Sequence, residues 1–304
     1  MKRFGYLYSK IYEMDNLIEA HKNARKGKTH YREVQMVDDN LEKYLLNIQL
    51  MLKEKRYRTS KYTVFKKMDK KKEREIFVLP YYPDRIIQWA IVQILEPIWM
   101  KTLISGTYSS LKGRGIHSAL MKLKRDLRYR NETEYCLKLD VKKFYPSIDH
   151  KIMKLIIRKK IKDPDVLILI DNIIDSANGI PIGNYLSQYF GNLYLNDFDH
   201  WIKEINGVKY YYRYCDDIVI LGNDKLELNE ILTKIKFFFK DNLKLKIKEN
   251  WQIFPTFIRG IDFVGYRCFG YYILLRKSTV VSLKRKLIRM RNRDYITIKA
   301  AESP

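Results

Sequence analysis

The sequence has few cysteines, no cluster of histidines and no long hydrophobic run. Its three cysteines, Cys136, Cys215 and Cys268, form no Cys-x-x-Cys pair among the 304 residues. This pattern argues against a structural zinc site and favours a reducing compartment, so we expect a cytoplasmic protein. The longest apolar stretch, residues 86–104, is interrupted by the amide and charged side chains of Gln88, Gln93, Glu96 and Lys101, and we therefore expect no membrane-spanning segment.

Acidic residues are also scarce relative to basic ones. The chain has 59 Lys and Arg against 35 Asp and Glu, which gives a formal net charge of +24. Such an excess repels itself in a compact protein unless a polyanion neutralises it, and nucleic acid is the usual polyanion. The alternative is that the basic residues serve solubility or reflect an AT-biased genome. The 24 tyrosines could stack on bases, although most are expected in the core.

The spacing of apolar residues divides the chain into predicted elements. Residues 1–60 have helical spacing, including a helix behind a possible cap at Asp38 or Asp39. Residues 62–67 and 75–79 read as a hairpin around a lysine-rich turn. The later predicted elements are a buried helix at 85–100, a helix ending near 130, a strand at 135–141, helices at 150–160 (capped by Ser147 or Asp149), 165–176 and 185–205, hairpin strands at 209–214 and 218–221, a helix at 226–243, strands at 263–266 and 271–275, and a basic helix at 278–293. From residue 135 this order predicts an α+β fold, with an antiparallel sheet backed by helices.

Three carboxylates stand at the ends of predicted strands. Asp140 closes one strand, and Asp216 and Asp217 occupy the tip of the hairpin. Phosphoryl transfer to a nucleotide uses two Mg²⁺ ions about 3.5–4 Å apart, bridged by carboxylates and completed by phosphates and water. Each acid alone is ordinarily a turn residue or a helix cap. Their occurrence together in so basic a chain predicts a negative metal site within a positive channel.

Five segments in this order resemble sequence boxes of reverse transcriptases. Residues 214–217, Tyr-Cys-Asp-Asp, resemble the Tyr-x-Asp-Asp box, and residues 137–148 resemble the first catalytic box. The other similar segments are the dNTP-binding loop and helix (179–188), the finger motifs (72–76 and 83–88) and the primer grip (262–266). The resemblance implies a right-hand polymerase with a helical extension (1–60), fingers (61–134), a palm (135–265, with a finger insertion near 161–182), and a primer grip with a short helical thumb (266–304).

The resemblance also implies roles for single residues. The catalytic, metal-binding set would be Asp140, Asp216 and Asp217 with the carbonyl of Val141, holding two Mg²⁺ ions. The dNTP-binding set would be Lys72, Arg74, Phe144, Tyr145, Ile182 and Gly183, with Gln188 and Tyr214 as supports and Phe263, Gly265 and Tyr266 as the primer grip. Arg74 would grip the triphosphate through its guanidinium fork. Tyr145 would exclude a ribose 2′-OH, the alternative being a buried aromatic beside Pro146. Lys70 and Lys71 could help, although a solvated basic turn is as plausible; Lys246, Lys248 and residues 284–293 are candidates for nucleic-acid backbone contacts.

The dNTP-binding loop resembles one subfamily in particular. Group II intron and retron enzymes usually carry Gln before the loop glycine, whereas here Ile182 precedes Gly183 and the motif ends Ser187-Gln188. This pattern resembles the reverse transcriptases of diversity-generating retroelements, whose cDNA carries errors opposite template adenine. An aliphatic side chain cannot hydrogen-bond the nucleotide or template; the alternative is that Ile182 is a core residue. Cys215 stands where the family usually has Met or Val. We expect this difference to affect the fidelity of DNA synthesis rather than the ability to synthesise DNA.

The resemblance implies partners as well. These are a template RNA, the cDNA/RNA duplex, dNTPs and a small basic, oligomeric accessory protein, in the cytoplasm of a bacterium or archaeon or encoded by a phage. Two alternatives remain. One is a defence-associated relative whose synthesis is untemplated or protein-primed, and the other is a catalytically silent RNA-binding scaffold. The three carboxylates argue against the scaffold, and the loop motif favours the retroelement enzyme.

Overall fold

A computed structural model describes residues 2–69 and 72–301 of the chain. Helices within these residues are α1 (Tyr8–Tyr12), α2 (Met14–Ala24), α3 (Arg32–Asp39), α4 (Leu41–Lys53), α5 (Ile86–Met100), α6 (Ile116–Asp126), α7 (His150–Arg158), α8 (Pro164–Ile174), α9 (Tyr185–Tyr194), α10 (Asn196–His200), α11 (Lys225–Leu243), α12 (Thr256–Arg259) and α13 (Lys277–Ala301). The strands are β1 (Thr63–Asp69), β2 (Lys72–Val78), β3 (Thr107–Tyr108), β4 (Tyr135–Asp140), β5 (Tyr210–Tyr214), β6 (Asp217–Gly222), β7 (Gln252–Pro255), β8 (Ile261–Phe263), β9 (Tyr266–Cys268) and β10 (Ile273–Leu275).

Several helices begin at side chains that satisfy their first backbone N–H groups. Asp149 accepts a hydrogen bond from the Ile152 N–H at 3.0 Å at the start of α7, and Asp224 does the same for α11. The predicted cap at Asp38 or Asp39 is wrong, because Asn40 occupies that position and the Asp38 carboxylate pairs with His21 instead. The predicted helix over 185–205 is also interrupted: α9 is followed by α10 and by a π-helical turn, Trp201–Ile205.

The central sheet has five strands in the order β3-β5-β6-β4-β7. β3 runs parallel to β5, and the other neighbours are antiparallel. The hairpin β1–β2 and the three-stranded sheet β10-β9-β8 stand apart from it. Sheet and helices together confirm the predicted α+β class. Both strands of the first hairpin are longer than the sequence indicates, since pairing continues to Asp69 and Lys72.

The central sheet is covered on both faces, because successive side chains of a strand point in opposite directions. Leu137 and Leu139 of β4 face a large core shared with α2, α4, α5, α7, α8, α9 and α11. Cys136 and its neighbours Val219 and Leu221 on β6 face a second core with α6, β8 and β9. The hairpin β5–β6 is thus buried along its length and reaches the surface at its tip. Within the described residues, no helix is long and apolar enough to cross a membrane.

Candidate active site

The sheet brings the three predicted carboxylates to one point. Asp140, the last residue of β4, pairs in register with Asp217, the first residue of β6. Cys215 and Asp216 form the two-residue turn between β5 and β6, and Cys215 adopts a left-handed φ of 54°. The carboxyl group of Asp216 lies close enough to Asp140 for the charge of Asp140 to act on it. Residues that lie 76 positions apart in the chain therefore share one site.

The environment of these carboxylates disfavours their charge. Burial, followed by the negative charge of the neighbouring Asp140, raises the pKa of Asp216 to about 7. Burial also raises the pKa of Asp217 to about 6. The positive charge of Lys138 opposes this shift, and the negative charge of Asp140 adds to it. Like charges held close together in this way are typical of sites that bind a cation.

Two lysines lie against the carboxylates. Lys138 precedes Asp140 by two residues on β4, so both side chains lie on the same face, and its Nζ is 3.5 Å from Asp217 Oδ2. Lys248 donates to the carboxylate of Asp140 through Nζ, and its backbone N–H donates to the Asp140 carbonyl at 2.8 Å. Sequence analysis offered Lys248 as a backbone contact for nucleic acid and missed Lys138. The alternation along β4 was the signal that could have identified Lys138.

The donor set fits a hard divalent cation. Asp140 Oδ1 and Asp217 Oδ1 are buried and accept no hydrogen bond from any described residue. Such oxygens are costly to bury unless something else satisfies them. No group of three or more His, Cys, Asp or Glu side chains in the described parts of the chain is arranged to hold a metal ion. Mg²⁺ uses one or two carboxylates and takes its other ligands from phosphates and water, so an incomplete protein cage is what it requires.

Tyr145 lies next to the turn formed by Cys215 and Asp216. Its hydroxyl is 4.0 Å from Cys215 Sγ, and burial, then Cys215, raises its pKa. Its ring packs on Gly191 of α9, where a Cβ would lie 3.2 Å from the Tyr145 hydroxyl, so a larger residue would displace the ring. Phe144 also packs on Gly191 and is 3% exposed, and its role in nucleotide binding stays a prediction.

The loop that carries Ile182 is joined to both neighbouring elements. The Phe77 N–H of β2 donates to the Ile182 carbonyl at 2.8 Å, and the Ile180 N–H donates to the Tyr145 carbonyl at 2.9 Å. Gly183 has a φ of 127°, and a Cβ there would lie 2.2 Å from the Phe77 carbonyl oxygen. Only glycine fits this approach. The Ile182 side chain is half-buried, which disfavours the alternative of a core residue.

Other residues than Gln188 hold this loop. Gln188 is exposed, and its side chain makes no hydrogen bond within the described residues. The buried Gln88 of α5 instead accepts from the Tyr185 N–H at 2.9 Å, and the Ser187 hydroxyl donates to the Pro181 carbonyl at 2.7 Å. The signal for Gln88 was its position as a polar residue near the start of a largely apolar helix, since a buried amide needs partners.

Arg74 lies on β2, two residues from Ile76 and on the same face of the strand. Ile76 reaches within 3.5 Å of the position that a Cβ on Gly183 would occupy, so this face of β2 adjoins the loop. The Arg74 side chain is exposed. Lys70 and Lys71 lie outside the described residues, as does the side chain of Lys72.

Comparison with known protein families identifies the family of this chain. Residues 64–267, which make up two thirds of the chain, match the family described as reverse transcriptase (RNA-dependent DNA polymerase). The chain belongs to the reverse transcriptase family. Protein YkfC of Escherichia coli K12 is 23% identical over 234 residues, covering 62% of this chain and 61% of that protein. The retron Ec73 reverse transcriptase of Escherichia coli is 25% identical over 232 residues, covering 70% of this chain and 72% of that enzyme.

The fold is similar to that of a solved polymerase. Apo telomerase from Candida tropicalis superposes with a TM-score of 0.53 at 13% identity, over 71% of this chain and 48% of that one. At this identity the likeness concerns the fold alone. The match to Protein YkfC spans about three fifths of that relative's length.

In this reverse transcriptase a buried polar network lies beneath the turn formed by Cys215 and Asp216. Arg213, next to the predicted support Tyr214, is fully buried and pairs with the equally buried Asp199 of α10. Asp199 also accepts from the Tyr211 hydroxyl and, at 2.9 Å, from that of Thr107. Arg213 donates at 3.0 Å to the Cys215 carbonyl, inside the turn. The sequence motifs assign no role to Asp199 or Arg213.

The turn between β8 and β9 contains the predicted primer grip. Phe263 is buried in the second core, Gly265 has a φ of 92°, and Tyr266 is half-buried at the start of β9. Lys138 donates to the Asp262 carbonyl as well as lying against Asp217. The structure therefore brings this turn next to the carboxylates through one shared lysine.

Proposed function

We propose that this chain is an RNA-directed DNA polymerase that works by two-metal nucleotidyl transfer. The observation that carries the proposal is the pairing of Asp140 with Asp217 beside Asp216. The buried Oδ1 atoms of Asp140 and Asp217 have no hydrogen-bond partner among the described residues. Two Mg²⁺ ions held by Asp140, Asp216, Asp217 and the Val141 carbonyl would stabilise the developing charge of the transferred phosphoryl group. The membership of the chain in the reverse transcriptase family supports this assignment.

The neighbouring residues would bind and orient the substrates. In this proposal Arg74 and Lys72 of the fingers (61–134) approach the triphosphate, while Tyr145 excludes a ribose 2′-OH by steric contact. Ile182 and Gly183 line the nucleotide from the loop joined to β2. The palm (135–265) carries the metals, and the segment 266–304 contributes to the grip and the thumb, with residues 1–60 as an extension.

The substitution Asp216→Asn tests the metal site. A neutral amide cannot hold the ions, so we expect dNTP incorporation with Mg²⁺ to be abolished while RNA affinity stays nearly unchanged. Primer extension on an RNA template and filter binding of the same RNA measure the two properties. Asp241→Asn on the exposed surface of α11 is the matched control and should behave as wild type. Synthesis by Asp216→Asn near the wild-type rate would exclude Asp216 from the site, and a parallel collapse of RNA binding would indicate a structural role.

We further propose that the enzyme serves a diversity-generating retroelement and writes adenine-directed errors into cDNA. The support is the Ile182 side chain, which is half-exposed in the nucleotide loop but carries no hydrogen-bonding group. A structured template RNA and a small basic, oligomeric accessory protein in the bacterial, archaeal or phage-infected cytoplasm complete this proposal. Synthesis that persisted without any template would instead favour the defence-associated alternative.

The substitution Ile182→Gln tests the fidelity proposal. One oriented hydrogen bond at the nucleotide contributes about 0.5–1.5 kcal/mol, and about 1.4 kcal/mol is a tenfold change in rate. We therefore expect misincorporation to fall several-fold, most of all opposite adenine, with a smaller change in overall rate. Sequencing cDNA made on one template, with the accessory protein present, measures both. Ile182→Val keeps the aliphatic surface and should keep the wild-type spectrum; an unchanged adenine error rate in Ile182→Gln would locate the infidelity elsewhere.

A further inference from the structure

The helix α6 is amphipathic, and its outer face is not explained by the polymerase site. Its inner residues Ala119, Leu120 and Leu123 are buried in the second core against the central sheet. Ser118, Met121, Lys122 and Arg125 recur at helical spacing on the other side. Met121 is 64% exposed although it is apolar.

This outer face forms one wall of an open cavity of about 630 Å³, here called the α6 cavity. Its lining is Ser105, Tyr108, Arg114, Ser118, Met121, Lys122, Lys124, Arg125 and Arg128. Five of these nine residues are cationic and none is acidic, so the cavity concentrates positive charge. Low-dielectric walls around charges of one sign focus the field on a ligand of the opposite sign.

Neighbouring acids neutralise little of this charge. The buried Asp126 accepts from Lys122 Nζ at 2.8 Å and from Arg125 Nε at 3.3 Å, so one carboxylate serves two cations. Lys124 and Arg128 make no ion pair within the described residues. The cavity therefore keeps a net positive charge.

Arg114 is held in place without being neutralised. Its guanidinium donates to the Ile104 carbonyl at 2.8 Å, and carbonyl oxygens orient a guanidinium while leaving its charge. A cation fixed in this way loses less side-chain entropy when it binds an anion than a free side chain does.

We infer that the α6 cavity binds the phosphate backbone of RNA, a role that rests on the proposed polymerase function. The cations Lys122, Lys124 and Arg125 lie on the last turns of α6, and Arg128 follows just beyond its C-terminus, so several positive charges lie along one segment. This arrangement suits successive phosphates of a strand better than one small anion. The cavity also adjoins the catalytic hairpin. Tyr108 in its lining pairs with Tyr214, whose neighbours Cys215 and Asp216 form the catalytic turn. RNA held here is anchored beside the hairpin through contacts that do not depend on its sequence.

The double substitution Arg125→Gln/Arg128→Gln tests the inference in the full-length chain. The probe is a fluorescein-labelled, unpaired RNA of about 40 nucleotides, titrated at KCl concentrations from about 50 to about 300 mM. Each lost single-strand phosphate contact reduces the log–log salt slope by about 0.7, so we expect a slope about 1.4 smaller in magnitude, with affinity several-fold weaker. Arg125→Lys/Arg128→Lys keeps the charge and should keep most of the slope, which excludes misfolding as the cause.

The matched control is Lys234→Gln/Lys240→Gln, which removes the same charge from the exposed face of α11. Its salt slope should equal that of wild type. A wild-type slope and affinity in Arg125→Gln/Arg128→Gln would overturn the inference. The inference would also be overturned if this variant bound poly-glutamate more weakly than wild type but bound RNA equally well, because the cavity would then bind an acidic polypeptide.

Primer extension on a short primer–template separates this inference from the proposed function. If wild type extends the primer and the salt slopes of wild type and Arg125→Gln/Arg128→Gln do not differ, the inference about the α6 cavity is wrong while the proposed polymerase function stands. If wild type extends nothing and the slopes differ as expected, RNA binding at the cavity stands while the polymerase assignment fails.

Discussion

Asp216 and Asp217 are held where their ionised forms are unfavourable. Burial and the neighbouring Asp140 raise both pKa values well above the usual 3.8, and Lys138 and Lys248 offset only part of this cost. Raised carboxylate pKa values are typical of a cation-binding site, because the carboxylates that would bind the metal repel one another when no metal is bound. The active site should therefore reduce the stability of the metal-free protein.

The pH dependence of unfolding tests this at Asp216. Its folded pKa of about 7 exceeds the unfolded value, so between about pH 4 and pH 7 the folded state binds more protons. The free energy of unfolding therefore falls as pH rises through this window. Asp216→Asn removes the ionisable group and should be more stable than wild type by about 1–2 kcal/mol at about pH 8, after allowing for solvent screening, with a smaller difference at about pH 4.

Urea denaturation without divalent metal, at both pH values, measures this difference. Asp241→Asn serves again as the control, because its carboxylate is exposed, and should show no pH-dependent gain. A difference between Asp216→Asn and wild type that is equal at both pH values would show that Asp216 ionises freely in the folded protein.

At the level of elements, α10 anchors the hairpin β5–β6 through one ion pair. The Arg213 side chain of β5 and the Asp199 side chain of α10 are both fully buried, and Arg213 extends the contact to the Cys215 carbonyl. The ion pair therefore holds the hairpin against α10, while backbone pairing with β4 holds it within the central sheet. Both contacts hold the turn in which Cys215 has a left-handed φ.

The substitution Asp199→Asn should cost about 3–5 kcal/mol in the free energy of unfolding, because it leaves the Arg213 charge buried without a counter-ion. Asp197→Asn, two residues earlier on α10, removes an exposed pair with Lys159 and should cost less than about 1 kcal/mol. Urea denaturation of both variants gives the comparison. Similar small losses in the two would mean that Arg213 finds other partners and that the network is not an anchor.

At the scale of the whole molecule, the net charge of +24 predicts strongly salt-dependent RNA binding. Six phosphate contacts on a single strand would give a log–log slope of about −4, at about −0.7 per contact. Titration of wild-type protein with unpaired RNA at several KCl concentrations measures it. A flat dependence would show that the basic residues serve solubility, the alternative that the composition leaves open.

Local patterns in the sequence were sufficient for most elements of the fold. The period of apolar residues predicted the hairpin β5–β6, the strand β4 and the order of the palm segment, because these signals lie within a few neighbouring residues. Boundaries were less certain: the expected helix over 185–205 is interrupted, and the cap expected at Asp38 or Asp39 is used elsewhere. A cap or break depends on tertiary partners that the local pattern does not contain.

The sequence by itself determined the α+β class, the family and the three carboxylates, because strand ends, turn residues and motif order are properties of neighbours in the chain. Tertiary structure alone decided which residues complete the site. Gln88, not Gln188, supports the nucleotide loop, and Lys248 lies on Asp140 across 108 positions. The ion pair beneath the hairpin likewise joins a helix to a strand. Such contacts arise when separate elements pack, and no periodicity along the chain encodes them.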